Sequence, residues 1–198
     1  MTEVDKDYVM AHLRRSAHAL ERAASDRALY ASICDISARI EKSLRAGGKL
    51  LIAGNGGSAA DAQHIAGEFL SRFTIDRHPL PAVALTTDTS VLTAIGNDYG
   101  FEQVFERQLR GLGRQGDAFI AISTSGRSPN ILAALRAAQE LKIATIGFTG
   151  SQDNPMRGLC DLCLSAPTEE TPLIQQIHIV AAHAICGVVE RAMFANQA

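Results

Sequence analysis

The sequence lacks several features that direct a protein to nucleic acid or to a membrane. It has no tryptophan, and 19 lysines and arginines against 21 aspartates and glutamates give a formal net charge of −2. It therefore has no excess of basic residues for binding the phosphate backbone of a nucleic acid. No apolar run reaches the roughly 18–20 residues that cross a bilayer. The polar N-terminus lacks the basic start and apolar centre of a signal peptide. We expect a cytoplasmic protein that binds neither nucleic acid nor membrane.

Cysteines are also few, and their spacing does not make a convincing metal site. The four are Cys34, Cys160, Cys163 and Cys186. Cys160 and Cys163 form a CxxC, but a zinc site of this type has a second such pair. Their context, GLCDLCLSAP, is typical of a short buried strand. The sequence therefore favours free thiols in a reducing compartment.

The elements that are present alternate in a regular way along 198 residues. Helical spacing of apolar residues predicts two helices within 4–46, with a break and cap at Ser25-Asp26 and a stop at Ala46-Gly47-Gly48. Short apolar runs predict strands at 49–53, 81–86, 118–123, 143–149 and 161–166. Intervening patterns predict helices at 58–73, 89–96, 101–112, 129–142 and 172–195.

Strands that alternate with helices predict an α/β fold, in which helices cover both faces of a parallel sheet. Ligands of such sheets bind at the carboxyl ends of the strands. The first two helices are additional to this pattern. Their surplus apolar face indicates packing against other subunits.

Two loops that follow predicted strands are suited to an anion. In 54-GNGGS-58 the glycines allow positive φ and close approach of a ligand to the backbone, and a helix N-terminus follows. In 123-STSGRS-128 four hydroxyls and one glycine precede another helix, with Ser128-Pro129 resembling a cap. Neither loop is a GxGxxG or Walker motif, and Ser128 acting only as a helix cap is the alternative.

His64 and Glu68 are four residues apart on a predicted helix and so share one face. They are suited to binding one metal ion or to acting as acid and base, although this helix alone favours an ordinary surface His–Glu pair. In the last predicted helix, Gln175 and His183 interrupt an apolar pattern and lie about 80° apart around the axis. One broad site could use both. His178 points elsewhere, as expected of a structural histidine.

Asn97 and Asp98 lie in IGNDYGFE, between two predicted helices. Asn and Asp are common in turns. A polar contact to ligand hydroxyls is the alternative, and the sequence leaves both open.

Four separated motifs resemble those of the phosphoheptose isomerases, in the same order along the chain. They are AGNGGSAADAQHIAGEF, ALTTDTSVLTAIGNDYGFE, STSGRSPNI and IQQIHIVAAH. The resemblance covers nearly the whole chain and implies the SIS (sugar isomerase) fold. It implies one domain over 1–198, with 1–47 as its N-terminal helical pair, and a homotetramer with active sites between subunits.

The resemblance also implies the reaction and the residues that perform it. The implied enzyme is an aldose–ketose isomerase that converts sedoheptulose 7-phosphate to D-glycero-D-manno-heptose 7-phosphate, the first step of bacterial ADP-heptose synthesis for lipopolysaccharide core or related glycans. Glu68 and His183 match the family's acid–base pair. Zinc, one ion per subunit, would have the ligands His64, Glu68, Gln175 and His183. Substrate contacts are implied for Asn55, Gly56, Gly57, Glu68, Asn97, Asp98, Ser123, Thr124, Ser125, Ser128 and Gln175.

The implied chemistry is a proton shift between C1 and C2 through an enediol. Glu68 would take the C1 proton and return it to C2, while His183 would move protons between O1 and O2. A metal would polarise the carbonyl, but a carboxylate bound tightly to zinc is a weaker base. Either Glu68 acts both as base and as zinc ligand while the metal shifts, or zinc mainly positions the reacting groups.

Three alternatives share the fold. The DnaA initiator-associating protein binds a replication initiator without catalysis, but lacks the acid–base residues that this chain has at Glu68 and His183. A sugar-phosphate-sensing regulatory domain would adjoin a DNA-binding module, for which this chain has no room. A different sugar-phosphate isomerase also stays open, because the fold does not fix the substrate.

Overall fold

The computed structural model describes residues 3–194 of the chain, in which helices and strands alternate. The α-helices are Glu3–Ser25 (α1), Arg27–Arg45 (α2), Gly57–Leu70 (α3), Thr89–Tyr99 (α4), Glu106–Leu112 (α5), Pro129–Glu140 (α6) and Thr171–Phe194 (α7). The strands are Leu50–Gly54 (β1), Ala82–Ala84 (β2), Ala118–Ile122 (β3), Ala144–Thr149 (β4) and Leu162–Ser165 (β5). Short 3₁₀ turns lie at Phe101–Gln103 and Arg157–Leu159.

The N-terminal helical pair forms as predicted. Asp26 caps α2, and its carboxylate accepts hydrogen bonds from the backbone N–H groups of Ala28 and Leu29 at 2.8 and 3.1 Å. Such a cap stabilises a helix by about 1 kcal/mol. Gly47, at φ +82°, then turns the chain out of α2 toward the sheet.

All five strands pair in parallel, in the order β2-β1-β3-β4-β5. From β1 the chain first moves to β2 on one side and then returns to β3 on the other. The direction of winding therefore reverses between β1 and β3. In open parallel sheets the crevice outside the carboxyl ends of two such strands is the usual ligand site.

The core lies on both faces of the sheet. Alternate residues of β1 divide between the two layers: Leu50 and Ile52 pack with α2, α3 and α7, whereas Leu51 and Ala53 pack with α5 and α6. All five residues of β1 and of β3 are buried, as expected for strands covered on both sides. The predicted α/β sandwich is confirmed.

Helix α7 is long and apolar enough to cross a membrane by length and composition alone. Half of its most apolar window is buried inside the fold. The helix packs on α2 and α3 in the larger core layer. It is therefore the core helix of this domain, and residue 195 at the end of its predicted range lies outside the described residues.

Three predicted elements are clearly longer than those the structure contains. The helix predicted at 58–73 ends at Leu70, where the side chain of Arg77 donates hydrogen bonds to the carbonyls of Phe69 and Ser71. These bonds satisfy backbone groups that a continuing helix would otherwise use. The strand predicted at 81–86 is reduced to Ala82–Ala84 at the edge of the sheet. The helix predicted at 101–112 begins only at Glu106, after the 3₁₀ turn Phe101–Gln103, and the remaining boundaries differ by at most three residues.

Candidate functional site

A cavity of about 300 Å³ lies at the carboxyl ends of β1 and β3. It brings together the two loops that the sequence predicts to bind an anion. The residues that line it are Asn55, Gly56, Gly57, Ser58, Ile122, Ser123, Thr124, Ser128, Thr171 and Gln175. The predicted meeting of the glycine turn and the hydroxyl loop therefore occurs in the fold.

Each glycine of the 54–57 turn serves a different structural need. Gly56 has φ +56°, which favours glycine, and it begins α3 without a side-chain cap within the described residues. A Cβ at Gly54 would overlap the backbone of Ser58, and one at Gly57 would overlap the Gln175 amide. Positive φ, expected at three glycines, occurs only at Gly56 among them. The others permit close packing.

Three residues of the hydroxyl loop, Ser123, Thr124 and Ser128, line the cavity, whereas Ser125 lines a neighbouring one and accepts a hydrogen bond from the Arg127 backbone N–H at 3.3 Å. Ser128 occupies the N-cap position before Pro129, but within residues 3–194 it makes no side-chain cap hydrogen bond. Its hydroxyl lies 2.9 Å from that of Ser123. Gly126 has φ +62° and packs so closely on Asn154 that a Cβ would overlap it. The geometry favours a ligand-binding role for Ser128 over a purely capping one.

The two loops are held together by a pair of amides. Asn55 and Asn130 exchange reciprocal side-chain hydrogen bonds, both 2.9 Å long. Asn130 is 2% exposed and belongs to α6, whereas Asn55 belongs to the glycine turn. This pair fixes the width of the cavity between the ends of β1 and β3.

Helices α3 and α7 run side by side in the same direction away from this cavity. Their contacts occur in the same order along both helices. Gly57 meets Gln175 first, and His64, seven residues after Gly57, then meets His183, eight residues after Gln175. Nε2 of His183 is 2.9 Å from Nε2 of His64, and that atom is 3.1 Å from Oε1 of Glu68. The three side chains can each offer one ligand atom within 4.8 Å of the others.

The fourth predicted ligand, Gln175, lies at the cavity end of α7. Eight residues separate it from His183, which corresponds to about 12 Å along a helix axis. Its amide packs on Gly57 and lines the loop cavity. The structure thus brings together His64, Glu68 and His183 and places Gln175 beside the glycine turn. Its role as a metal ligand stays a prediction.

Asn97 and Asp98 lie apart from both groups, on the exposed side of α4. The Asn97 amide donates a 2.8 Å hydrogen bond to Asp98. Asp98 lines a separate cavity of about 630 Å³ between α4 and α5. In the described part of the chain, no residue of α4 is buried, although it contains Val91, Leu92 and Ile95.

Other residues singled out in the sequence have structural surroundings. Cys163 lies in β5 and Cys160 just before it, and burial raises the pKa of the Cys160 thiol to about 12. This favours the strand interpretation over a metal site. His178 is buried beneath β4, and its Nε2 lies 3.1 Å from the Thr149 carbonyl oxygen.

Comparison with known proteins identifies the family. The SIS domain profile matches residues 12–150. The chain is 58% identical over 193 residues to a phosphoheptose isomerase of Bradyrhizobium sp. (strain BTAi1 / ATCC BAA-1182), covering 98% of each. It is 52% identical over 190 residues to one of Burkholderia pseudomallei (strain K96243), covering 96% of each. The chain belongs to the phosphoheptose isomerases of the SIS-domain family.

The fold of a solved phosphoheptose isomerase agrees with this membership. The structure of the Neisseria gonorrhoeae protein superposes with a TM-score of 0.88 at 41% identity, covering 93% of this chain and 98% of that chain. The family and the fold predicted from the four sequence motifs are therefore confirmed.

The phosphoheptose isomerase motifs include residues to which the sequence assigned no role. Asn130 lies in the motif STSGRSPNI, two residues after Ser128, and its place in that motif was the available sequence signal. Near the far end of α3, Phe73 contacts the His183 ring, Arg77 donates to the Glu68 carbonyl oxygen, and Glu190 binds both Phe73 and Arg77. All three lie outside the four motifs. In the sequence, Phe73 ends the helix predicted at 58–73, Arg77 belongs to the loop after it, and Glu190 lies near the end of the last predicted helix.

Proposed function

We propose that this protein converts sedoheptulose 7-phosphate to D-glycero-D-manno-heptose 7-phosphate. The observation that carries this proposal is the alignment of the loop cavity with the His64–Glu68–His183 cluster along two parallel helices. The relatives' name supports the heptose phosphate as substrate. In this proposal the reaction takes place in the cytoplasm, where the free cysteines stay reduced, and supplies ADP-heptose synthesis for lipopolysaccharide core or related glycans.

The spacing along α3 is suited to such a substrate. His64 lies seven residues beyond Gly57, which corresponds to about 10 Å of helix. An extended sugar phosphate of about seven carbons spans a comparable distance. Hydroxyls of Ser123, Thr124, Ser125 and Ser128 would hold the phosphate, with backbone N–H groups near Gly56 and Gly57. The carbonyl end would then reach Glu68 and His183.

The proton transfers are assigned to the two residues at that end. Glu68 would remove the C1 proton and deliver it to C2 through an enediol. Its carboxylate side chain is 24% exposed and 3.1 Å from His64, which orients it. His183 would move the hydroxyl proton between O1 and O2. A carboxylate and an imidazole held within reach of adjacent atoms are the usual agents of such transfers.

The donor set also fits zinc, one ion per subunit. Zinc takes imidazole and carboxylate ligands at about 2.0–2.2 Å, so neighbouring donors of a tetrahedral site lie about 3.3 Å apart. The spacings of 2.9 and 3.1 Å are close to this value. His64, Glu68 and His183 would hold the ion, with Gln175 as the further predicted ligand. When bound, zinc would supply polarisation of the substrate carbonyl.

Exposed apolar surface supports assembly of a homotetramer with active sites between subunits. Helix α1 exposes Val4, Tyr8 and Leu13 by 76, 65 and 63%. Large apolar surfaces of this kind mark interfaces. The exposed α4 carries Asn97 and Asp98, which would contact substrate bound to a neighbouring subunit. In this proposal the chain is one SIS domain over 1–198, and the helical pair 1–47 packs in the oligomer.

The test is to incubate the purified protein with sedoheptulose 7-phosphate in D₂O and to follow the sugar by NMR. We expect the aldose product, with deuterium at C2 if the base exchanges its proton. Glu68→Gln should lower turnover by about 10²–10⁴-fold while binding is retained. A folded protein that binds the sugar but forms no aldose under any metal condition would favour a binding function of the DnaA initiator-associating type.

A further inference from the structure

A second polar cluster lies beyond the His–Glu cluster, where α3 ends. Its centre is Glu190 on α7, whose side chain is 1% exposed. Glu190 follows His183 by seven residues, so the two lie on the same face of α7 about two turns apart. The proposed reaction makes no use of Glu190. A buried carboxylate is costly unless it is fully paired, so its partners matter.

Five hydrogen bonds converge on the Glu190 carboxylate. The backbone N–H groups of Phe73, Thr74 and Ile75 donate to it at 2.9, 2.7 and 3.0 Å. The Thr74 hydroxyl and Arg77 Nε donate at 2.8 and 3.0 Å. Burial raises the pKa of Glu190, but the hydrogen bonds outweigh it and lower the pKa to about 2. The ionised carboxylate thus holds three successive backbone N–H groups in place.

Arg77 connects this carboxylate to the helix that carries Glu68. Its side chain is 2% exposed. Besides the bond to Glu190, its guanidinium donates to the carbonyl oxygens of Glu68 and Phe69 at 2.9 and 2.7 Å. The loop after α3 is therefore fixed to α7 by Glu190 and to the last turn of α3 by Arg77.

This fixed loop places Phe73 against the His183 ring. The two ring centroids are 5.6 Å apart, and His183 is also 5.0 Å from the His64 ring. A Cβ at position 187 would lie 3.3 Å from Cε1 of Phe73, closer than most real contacts. Gly187 therefore leaves the space that Phe73 occupies, although glycine within a helix costs about 1 kcal/mol relative to alanine.

We propose that Phe73 is a positioning residue for His183, held against that ring by the Glu190–Arg77 pair. The catalytic consequence rests on the function proposed above. His183 can pass a proton between adjacent oxygens only if its reactive nitrogen stays within hydrogen-bond reach of them. Because both Phe73 and His64 pack against the ring, its freedom to rotate is reduced. A displacement of about 1 Å in such a group lowers a rate by up to about 10²-fold.

Two variants displace the contact without breaking the buried ion pair. Phe73→Leu removes the aromatic wall but keeps the backbone N–H that binds Glu190. Gly187→Ala pushes the Phe73 ring by a few tenths of an ångström, while alanine favours the helix, so unfolding would not explain a loss of activity. The matched control is Phe105→Leu, the same change at a 3%-exposed residue in the opposite core layer.

We expect Phe73→Leu to lower kcat by about 10- to 100-fold, and Gly187→Ala to lower it by a smaller factor. The KM for sedoheptulose 7-phosphate should stay within about twofold of wild type, because the phosphate loops lie about 10 Å away along α3. Phe105→Leu should keep the wild-type kcat in the folded fraction.

A second readout does not depend on catalysis. In ¹⁵N-histidine NMR of the protein as purified, and after dialysis against EDTA, the His183 ring signals should shift or broaden in Phe73→Leu and stay unchanged in Phe105→Leu. The signals are assigned with His183→Gln. Unchanged His183 signals in Phe73→Leu would overturn the proposal, whatever happens to kcat. If wild type proves inactive as an isomerase, this measurement still decides the positioning role.

Discussion

Mild acid should destabilise the fold through the buried His178. This side chain is 1% exposed, and its ring packs against Phe148 at 5.5 Å between centroids. Nε2 lies 3.1 Å from the Thr149 carbonyl, which can only accept, so the proton of the neutral ring belongs on Nε2. Nδ1 is buried with no hydrogen-bond partner in the described residues. A charged ring would therefore add an unsatisfied donor to the core.

The magnitude follows from the pKa difference between the folded and unfolded chains. Burial lowers the pKa of His178 from 6.5 to about 4, opposed in part by the hydrogen bond to the Thr149 carbonyl. Between these values the unfolded chain binds more protons, so the free energy of unfolding rises with pH. His178 should contribute its full stability above about pH 6.5. About 3 kcal/mol should be lost as the pH falls to about 4.

The assay is urea unfolding of wild type and His178→Gln at closely spaced pH values across this range. The glutamine variant cannot titrate there, so the difference between the two free energies should shrink as the pH falls. Carboxylates that titrate in the same range contribute equally to both proteins and cancel. His18→Gln, at a side chain 71% exposed, is the matched control and should keep the wild-type slope. Parallel pH profiles for wild type and His178→Gln would refute the reasoning.

Further predictions concern the buried ion pair, the hydroxyl loop and the metal. Glu190→Gln should lower the free energy of unfolding, measured in urea, by about 3–5 kcal/mol, because it leaves Arg77 charged and buried. Adding Arg77→Met to this variant should restore part of the lost stability. Ser128→Ala should raise KM about tenfold at unchanged kcat, because about 1.5 kcal/mol of hydrogen bonding to the phosphate is lost. An unchanged Tm in this variant would exclude a capping role for Ser128. Gly126→Ala, at φ +62° and against Asn154, should lower Tm by several degrees, as circular dichroism can measure. EDTA should reduce turnover and added Zn²⁺ restore it, and full activity in the metal-free protein would contradict the metal assignment.

Local sequence patterns were sufficient for most of the fold. The period of apolar residues and the Asp26 cap depend on neighbours within one or two turns, and these elements form where predicted. The end of α3 could not be located in this way. Arg77 binds carbonyl oxygens at that end, and Glu190 holds both Arg77 and the backbone N–H of Phe73, 117 residues earlier in the chain. A tertiary partner at this separation leaves no periodic signal.

The candidate site was likewise predictable only in part, where local sequence determines it. The glycine turn and hydroxyl loop were predictable, because each follows a buried strand and parallel strands end at one edge of the sheet. The meeting of His64 with His183 depends on how α3 and α7 pack, and the sequence offered only polar residues in an apolar helix. Phe73 and Arg77 lie in RFTIDRHP, which has the composition of any surface loop.

Parallel packing of α3 and α7 would allow one short domain to bind a long sugar phosphate, as the proposed function requires. Both helices begin at the loop cavity, Gly57 against Gln175, and both carry a histidine about two turns later, His64 against His183. In the proposed function, the distance between the phosphate site and the reacting carbons would be set by helix rise, about 1.5 Å per residue. A register shift of one residue between the helices would separate the two histidines. Contacts beyond His183 that resist such a shift, above all those of Glu190, would therefore act on the reacting end of the proposed site.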